Sequence, residues 1–412
     1  MKTIIKNIAE IIQTEDNPRK WVCGNEMGKI NTIKNAYIEC TNNLITNFGP
    51  QEQYKKNNEK IIIIDAEGGM VFPSYCDSHT HLVFTQSREE EFVDRLKGLS
   101  YQEIYNNGGG ILNSAKNLQK ANEEELYNDA LNRINTLIAK GTGAIEIKSG
   151  YGLTIESELK ILRVIKRLKN NCDITIKSTF LGAHAIPTEF KNNKEKYLNI
   201  VIEEMLPIIA KEKLADYIDI FCEKDYFSVE DCKKLLIAAN KFNIQAKTHV
   251  NQFNSIGGVK ASVELGARSV DHLEIMKEQD YNALINSNCI PTVLPSCSFF
   301  LGIPYAPVKE MIKRGLPVAL ASDYNPGSSP SGDMNFVSSL GCIKLKMTPE
   351  EVINATTINS AYAMGIEKEL GSICVGKKAN LFITKPVKSY ASLHYNFSEN
   401  IIKKIMINGK IK

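Results

Sequence analysis

Between residues 141 and 323 the chain alternates short, β-rich apolar runs with longer stretches of helical periodicity, and this alternation restricts the fold more than any other feature. A run that is apolar at nearly every position suits a strand buried on both faces, and such strands occur in parallel sheets covered by their own crossover helices. With the segment before residue 141 included there are eight runs: 70–76, 143–147, 174–181, 217–222, 244–248, 268–270, 290–294 and 317–321. Amphipathic stretches at 154–168, 194–210, 228–242 and 255–265 lie between them. The expected fold is therefore α/β, a closed (β/α)8 barrel of the TIM type, with an open doubly wound sheet as the alternative that shares the local pattern.

The two ends of the chain follow a different pattern. Short β-like runs at 3–5, 36–39 and 60–65 are broken by Gly, Asn and Pro, and residues 372–384 and 401–411 again alternate turns with short strands. These are expected to pair into one small β-sandwich domain built from both termini, 1–69 plus 370–412, beside a barrel of 70–369. A length of 412 residues suits one large domain with a smaller one. Hydrophobic content of 43% and charged content of 24% fit a globular chain and exclude disorder and collagen. The net charge of +3 is small and its basic residues are scattered, so no nucleic-acid partner is expected. The apolar run Ile61 to Ile64 is far too short to span a bilayer, so no membrane association is expected, and no secretory signal is read at the N-terminus. Ten cysteines without a C-x-x-C pair read as reduced thiols of a cytoplasmic protein. Gly108, Gly109 and Gly110 lack the preceding strand and wider spacing of a phosphate loop and read as a loop in the long first crossover.

Histidine is scarce, six in 412 residues, so the position of each is informative. Five fall just past an expected strand: His79 and His81 after the first, His184 after the third, His249 after the fifth and His272 after the sixth. His394 has no such context. In a (β/α)8 barrel the carboxyl ends of all strands open on one face, where active sites are built. The five imidazoles meet there, together with Asp323 at the end of the eighth run. An isolated H-x-H is more often a surface or packed pair than a ligand set. Here two rings two residues apart in an extended segment point to one side, and His249 and Asp323 complete three imidazoles and a carboxylate, a set that fits Zn2+ or Fe2+.

Several segments carry a narrower likeness: Phe72-Pro73-Ser74-Tyr75-Cys76-Asp77-Ser78-His79-Thr80-His81, Gly108-Gly109-Gly110-Ile111, Glu146-Ile147-Lys148-Ser149-Gly150-Tyr151-Gly152-Leu153, Phe180-Leu181-Gly182-Ala183-His184-Ala185, Asp271-His272-Leu273-Glu274 and Ala321-Ser322-Asp323-Tyr324-Asn325-Pro326-Gly327. With them the chain resembles the amidohydrolase superfamily over nearly its whole length, and within it the imidazolonepropionase family of histidine degradation. The resemblance implies that His79, His81, His249 and Asp323 bind one catalytic metal ion per subunit, Zn2+ or Fe2+/Fe3+. It implies that Arg88, Tyr101, Tyr151, His184, Gln252, Asn325, Gly327 and Ser328 line a pocket for 4-imidazolone-5-propanoate, that Asp323 and His272 are catalytic, and that the protein is a homodimer. Binuclear relatives place a carbamylated lysine at the end of strand four, where this chain reads Ile220-Phe221-Cys222-Glu223-Lys224, which favours one metal.

Elementary chemistry gives each role a reason. Asp323 can move a proton from water to a ring nitrogen, and His272 can stabilise charge on a carbonyl oxygen. The Arg88 guanidinium reads a carboxylate in a bidentate way, and the Tyr151 ring can stack on a planar heterocycle. Gln252 stands where some relatives carry glutamate, and its amide hydrogen-bonds without titrating. The stretch 112–116 departs from the threonine- and arginine-rich run expected after the glycines. A rival reading keeps fold and metal but makes the substrate a nucleobase, with ammonia released as in a guanine- or cytosine-type deaminase. A second rival is a non-catalytic assembly subunit, from which metal ligands would be expected to be missing.

Overall fold

Crossover helices are absent among the described residues before the barrel, and the first five strands pair directly. They are β1 (Lys2–Ile12), β2 (Thr32–Thr41), β3 (Leu44–Pro50), β4 (Ile61–Asp65) and β5 (Met70–Pro73). The computed structural model describes residues 2–55, 61–100, 103, 104, 107 and 109–412. Strand β1 runs antiparallel to β2 and parallel to both β4, through Lys2 to Lys6, and β5, through Glu10 and Ile11. The change of partner coincides with a shift of register against β2 between Ile5 and Ile8, where Asn7 takes φ 55. Such a bulge bends a strand, which lets one strand serve two neighbours on the same edge.

Eight parallel strands follow in sequential order: β6 (Tyr75–Asp77), β7 (Thr142–Lys148), β8 (Thr175–Ala183), β9 (Tyr217–Cys222), β10 (Gln245–Val250), β11 (Ser269–His272), β12 (Ile290–Val293) and β13 (Ala319–Leu320). The first and last meet just beyond their carboxyl ends, where Asp323 N donates to His79 O at 3.0 Å and His81 N to Tyr324 O at 2.9 Å. These bonds close the barrel and exclude the open sheet. The run at 70–76 is not one barrel strand, as the sequence suggested. Its first part, β5, belongs to the terminal sheet, and only Tyr75–Asp77 enters the barrel. The switch falls at Pro73, which has no N–H with which to extend a ladder, and Ser74 N turns to Asn380 O. An apolar run does not reveal which of two sheets will bury it.

Helices Ile155–Asn171 and Val229–Asn240 begin where Thr154 and Ser228 accept hydrogen bonds from the third residue on, Ser228 within a capping box with Asp231. The stretch expected at 194–210 opens into a five-residue π turn, Val201–Met205, between Lys194–Ile200 and Leu206–Glu212. Pro207 supplies the reason, since it has no N–H for an ordinary helical bond.

The chain then returns to the terminal sheet with β14 (Leu381–Thr384), β15 (Ile402–Ile407) and β16 (Lys410–Ile411), and β14 pairs with β5. Both termini therefore build this sheet, around a core of its own that joins Ile5, Ile8 and Ile11 to Ile38, Val71, Ile383 and Met406.

Candidate active site

The barrel strands deliver their histidines to one rim. His79 and His81 lie just past β6, and His184 directly follows β8. His249 and His272 are instead the penultimate residue of β10 and the last of β11, inside the strands that were expected to end before them. Ring centroids stand 4.4 Å apart for His79 and His249, 5.0 Å for His81 and His184, and 5.3 Å for His249 and His272. Asp323 Oδ1 lies 3.5 Å from His79 Nε2 and 3.7 Å from His81 Nε2. The rim is also where the backbone is strained. Asn251, His272, Leu273 and Asp323 take φ values of 59, 87, 68 and 54, a region that residues with a Cβ rarely occupy.

Carboxylates behind the rings decide which nitrogen faces inward. His79 Nδ1 lies 2.7 Å from Asp271 Oδ2 and His249 Nδ1 lies 2.8 Å from Asp219 Oδ2, so each Nδ1 carries the proton and each Nε2 keeps its lone pair for the cavity. His79 Nε2 is buried without any hydrogen-bond partner, and the Nε2 atoms of His81 and His249 face one another at 3.3 Å. Burial first, then nearby cations and imidazoles, hold all three rings well below the ordinary histidine range and therefore neutral. Converging neutral imidazoles beside a carboxylate suit one divalent cation, which would satisfy the orphaned lone pair.

Below the rings the barrel interior is ionic. Lys148 Nζ reaches Asp219 at 2.7 Å, Glu146 at 2.9 Å and Asp271 at 3.4 Å, and Lys247 Nζ pairs with Glu146 and donates to Ser78 O at 2.8 Å. Burial opposes the charge on Lys148, but its three carboxylate neighbours outweigh it and raise its pKa. One ammonium group thus anchors both carboxylates that aim the cavity-facing rings. Two ammonium groups against three carboxylates also leave the layer with negative charge beneath a cation site. The sequence reading missed these residues. Their signal was a charged side chain inside an otherwise apolar strand, as in Ala144-Ile145-Glu146-Ile147-Lys148 and Tyr217-Ile218-Asp219-Ile220-Phe221.

The open side of the rings is a cavity lined by Arg88, Tyr151, His184, Gln252, Asn325 and Ser328, with His272 and Asp323 at its floor. Gly327 stands behind it: a Cβ there would fall inside the Arg88 guanidinium, so only glycine lets the arginine seat. Asn325 has its whole amide engaged, donating to Asp323 O and Ser328 Oγ and accepting from Gly327 N and Ser328 N, so it shapes the turn that presents its neighbours. Glu158 does the same for the Tyr151 loop, accepting from Gly150 N, Gly152 N and Leu153 N. His184 Nδ1 lies 3.1 Å from Gly150 O, and burial pushes its pKa down to about 4, leaving a neutral ring. Tyr101 lies outside the described residues. Glu223 is turned to backbone, accepting from Lys224 N, Phe253 N and Asn254 N, so it is spent on a loop rather than on a metal.

His272 Nδ1 lies 3.4 Å from Glu274 Oε1. Burial lowers its pKa, but Glu274, then Asp323 and Asp271, outweigh that and raise it. Burial raises the Asp323 carboxyl to about 6, against the pull of His272.

A profile of the Amidohydrolase family matches residues 70–412. The chain is 55% identical to an imidazolonepropionase of Flavobacterium johnsoniae over 100% of both chains. It is 42% identical to that of Clostridium tetani over 99% of this chain and 97% of the other. Among solved structures it is similar in fold to an adenosine deaminase from Xanthomonas campestris with bound zinc, at TM-score 0.73 and 13% identity over 100% and 92% of the two chains. Escherichia coli guanine deaminase gives a TM-score of 0.70 at 12% identity over 100% and 99%.

Proposed function

The chain belongs to the amidohydrolase family and, within it, to the imidazolonepropionases, and we propose that the cavity at the barrel rim is where it opens the ring of 4-imidazolone-5-propanoate. It is a hydrolase that adds water across a cyclic carbon–nitrogen bond to give N-formimidoyl-L-glutamate in histidine degradation. The observation that carries this reading is identity of 40–55% to imidazolonepropionases over at least 92% of the chain.

His79, His81, His249 and Asp323 hold one metal ion, Zn2+ or iron as Fe2+/Fe3+, supported by the triad His79, His81 and Asp323 and by the overlapping triads in which His249 joins His79 with His272 and His81 with His184. When bound, the ion supplies Lewis acidity and brings the pKa of water down toward about 7. Asp323 takes the proton of the attacking water and delivers it to the ring nitrogen as the C–N bond breaks. His272, oriented by Glu274, donates to the ring carbonyl oxygen, where negative charge develops. Arg88, whose buried Nε has no protein partner, pairs with the propanoate, and Gly327 keeps its seat open. Tyr151 and His184 present their rings to the heterocycle, Gln252 and Ser328 hydrogen-bond it, and Asn325 holds their turn in shape. Gln252 cannot titrate, so proton transfer rests on Asp323.

The small unit, 1–73 plus 370–412, and the barrel of 75–369 divide the labour: Met70–Pro73 pairs with strands from both termini, and the chain enters the catalytic barrel at Tyr75. The enzyme works in the cytoplasm, in keeping with ten free thiols and no helix among the described residues long and apolar enough to cross a membrane. It works as a homodimer, the assembly that the resemblance to its family implies.

Nucleobase deamination is disfavoured, because likeness to the guanine deaminase is of fold alone. Arg88→Gln separates the readings. It should raise KM for 4-imidazolone-5-propanoate by about 10-fold to 100-fold, as loss of a charge-assisted bidentate pair does. Equal loss of activity on guanine and cytosine, with ammonia as product, would sink the reading.

A further inference from the structure

Next to the cavity-facing imidazoles lies a second set of atoms able to hold a metal, sharing His272 with the triad it forms with His79 and His249. His272 ends β11, Glu274 lies two residues on, and Cys297 comes from the helix Pro295–Leu301 that follows β12. All three are buried, at 3%, 4% and 0% exposure, and each offers a ligand atom within 4.8 Å of the other two. His272 Nδ1 and Glu274 Oε1 stand 3.4 Å apart, close to the separation of two ligands each about 2 Å from one tetrahedral ion. Glu274 Oε2 is buried with no hydrogen-bond partner, while Oε1 also accepts from Ser298 Oγ at 3.2 Å. The Cys297 sulfur accepts from Gln252 Nε2 at 3.4 Å and also has hydrogen-bond contacts to Asp323 and Ser328, so an ion there would replace the contact to Asp323. An unsatisfied carboxylate oxygen beside a sulfur and an imidazole is an incomplete polar cluster of the kind a bound ion completes.

We propose that His272, Glu274 and Cys297 form a second, inhibitory site for a thiophilic divalent cation of the Zn2+ class. A nitrogen, oxygen and sulfur set selects such ions over Mg2+ and Ca2+. Entry is through the substrate cavity, since His272 and Gln252 both line it. Binding takes sulfur as thiolate and releases its proton to solvent, and three ligands against four at the first site make the second the later one to fill. Occupancy takes His272 Nδ1 and Glu274 as ligands, so the ring can no longer become the Glu274-paired imidazolium that stabilises charge on the carbonyl oxygen. The inhibition rests on the proposed role of His272, but the binding does not.

The test loads the protein with one equivalent of Zn2+ and then titrates Co2+. A thiolate-to-cobalt charge-transfer band in the near ultraviolet should grow and saturate at one added equivalent per chain, and Mg2+ should not remove it. Cys297→Ser should abolish the band, and Glu274→Gln should weaken Co2+ binding at least tenfold. Each variant is first matched to the parent by thermal melting, with Cys297→Ala as a second replacement should serine fail to fold. Excess Zn2+ should displace the band and inhibit turnover in parallel, and Cys297→Ser should raise the inhibitory concentration at least tenfold relative to its own uninhibited rate. No thiolate band, or an equal band in Cys297→Ser, overturns the site. A normal band in protein inactive on 4-imidazolone-5-propanoate leaves the site standing and refutes the substrate instead.

Discussion

His79 and His394 are buried to the same degree, 0% and 2% exposed, yet the two regions around them are built on opposite plans. At the barrel rim His79 Nδ1 is fixed by Asp271, and its other nitrogen points at a space shared with His81, His249 and Asp323. In the short helix Ser392–Tyr395 neither ring nitrogen of His394 has a partner, and its neighbour Leu393 joins the hydrophobic core. Burial depresses both rings. What separates them is the carboxylate that sets a tautomer and the convergence of several lone pairs on one point. Depth alone therefore says little about function; an orphaned nitrogen among other ligands says a great deal, and an orphaned ring with no other ligand atoms around it is a packed residue.

The sharpest break of that contrast is at Asp323. Asp323→Asn removes the proposed base and a charged ligand together, and kcat should fall by about 10^2-fold to 10^4-fold, measured at saturating substrate with metal content determined alongside. A variant that keeps most of its turnover would show that the rim does not work as described. Next in size is Lys148→Met, which leaves Asp219 and Asp271 without their common anchor. Its metal affinity should drop by about 10-fold to 100-fold, the usual cost of losing support behind a ligand, and Lys148→Arg should recover part of it. Competition with a chelating dye reads this without any substrate. Gly327→Ala should act on binding rather than chemistry: the displaced Arg88 raises KM by about tenfold, or about 1.4 kcal/mol, while kcat changes less.

His394→Leu should leave turnover unchanged and alter only how stability depends on pH. Burial pushes the His394 pKa down to about 4 from an ordinary value of about 6.5. Protonation therefore favours the unfolded chain. The penalty is absent above about pH 6.5 and grows as pH falls toward 4, to on the order of 3 kcal/mol. Denaturant melts at pH 7 and pH 4.5 should show the parent losing more stability on acidification than the variant. An equal loss in both would mean that His394 finds a partner in solution.

How much of this was legible depended on whether a residue's own place at the end of a strand run fixed its position, or whether its partners had to be known first. The barrel strands and the set His79, His81, His249 and Asp323 were readable because strand runs and scarce histidines recur in register, so that topology alone brings them to one rim. The ionic layer was not, because Glu146, Lys148, Asp219, Lys247 and Asp271 come from four strands and acquire meaning only when the barrel closes. The transfer of Met70–Pro73 to the other sheet was hidden for a related reason: its partners Glu10 and Leu381 lie at opposite ends of the sequence. That Arg88 reaches the cavity was readable, whereas its dependence on the missing Cβ of Gly327, more than 200 residues away, required coordinates.

The most direct test of the account is a metal titration of turnover. Metal-free protein is reloaded stepwise with Zn2+ while the ultraviolet absorbance of freshly made 4-imidazolone-5-propanoate is followed above its spontaneous decay, and the product is identified by mass spectrometry. The account predicts a rate that is negligible without metal, rises linearly to one equivalent per chain and climbs no further, with N-formimidoyl-L-glutamate as product. Full turnover in metal-free protein, or a rate that still increases between one and two equivalents, would contradict it.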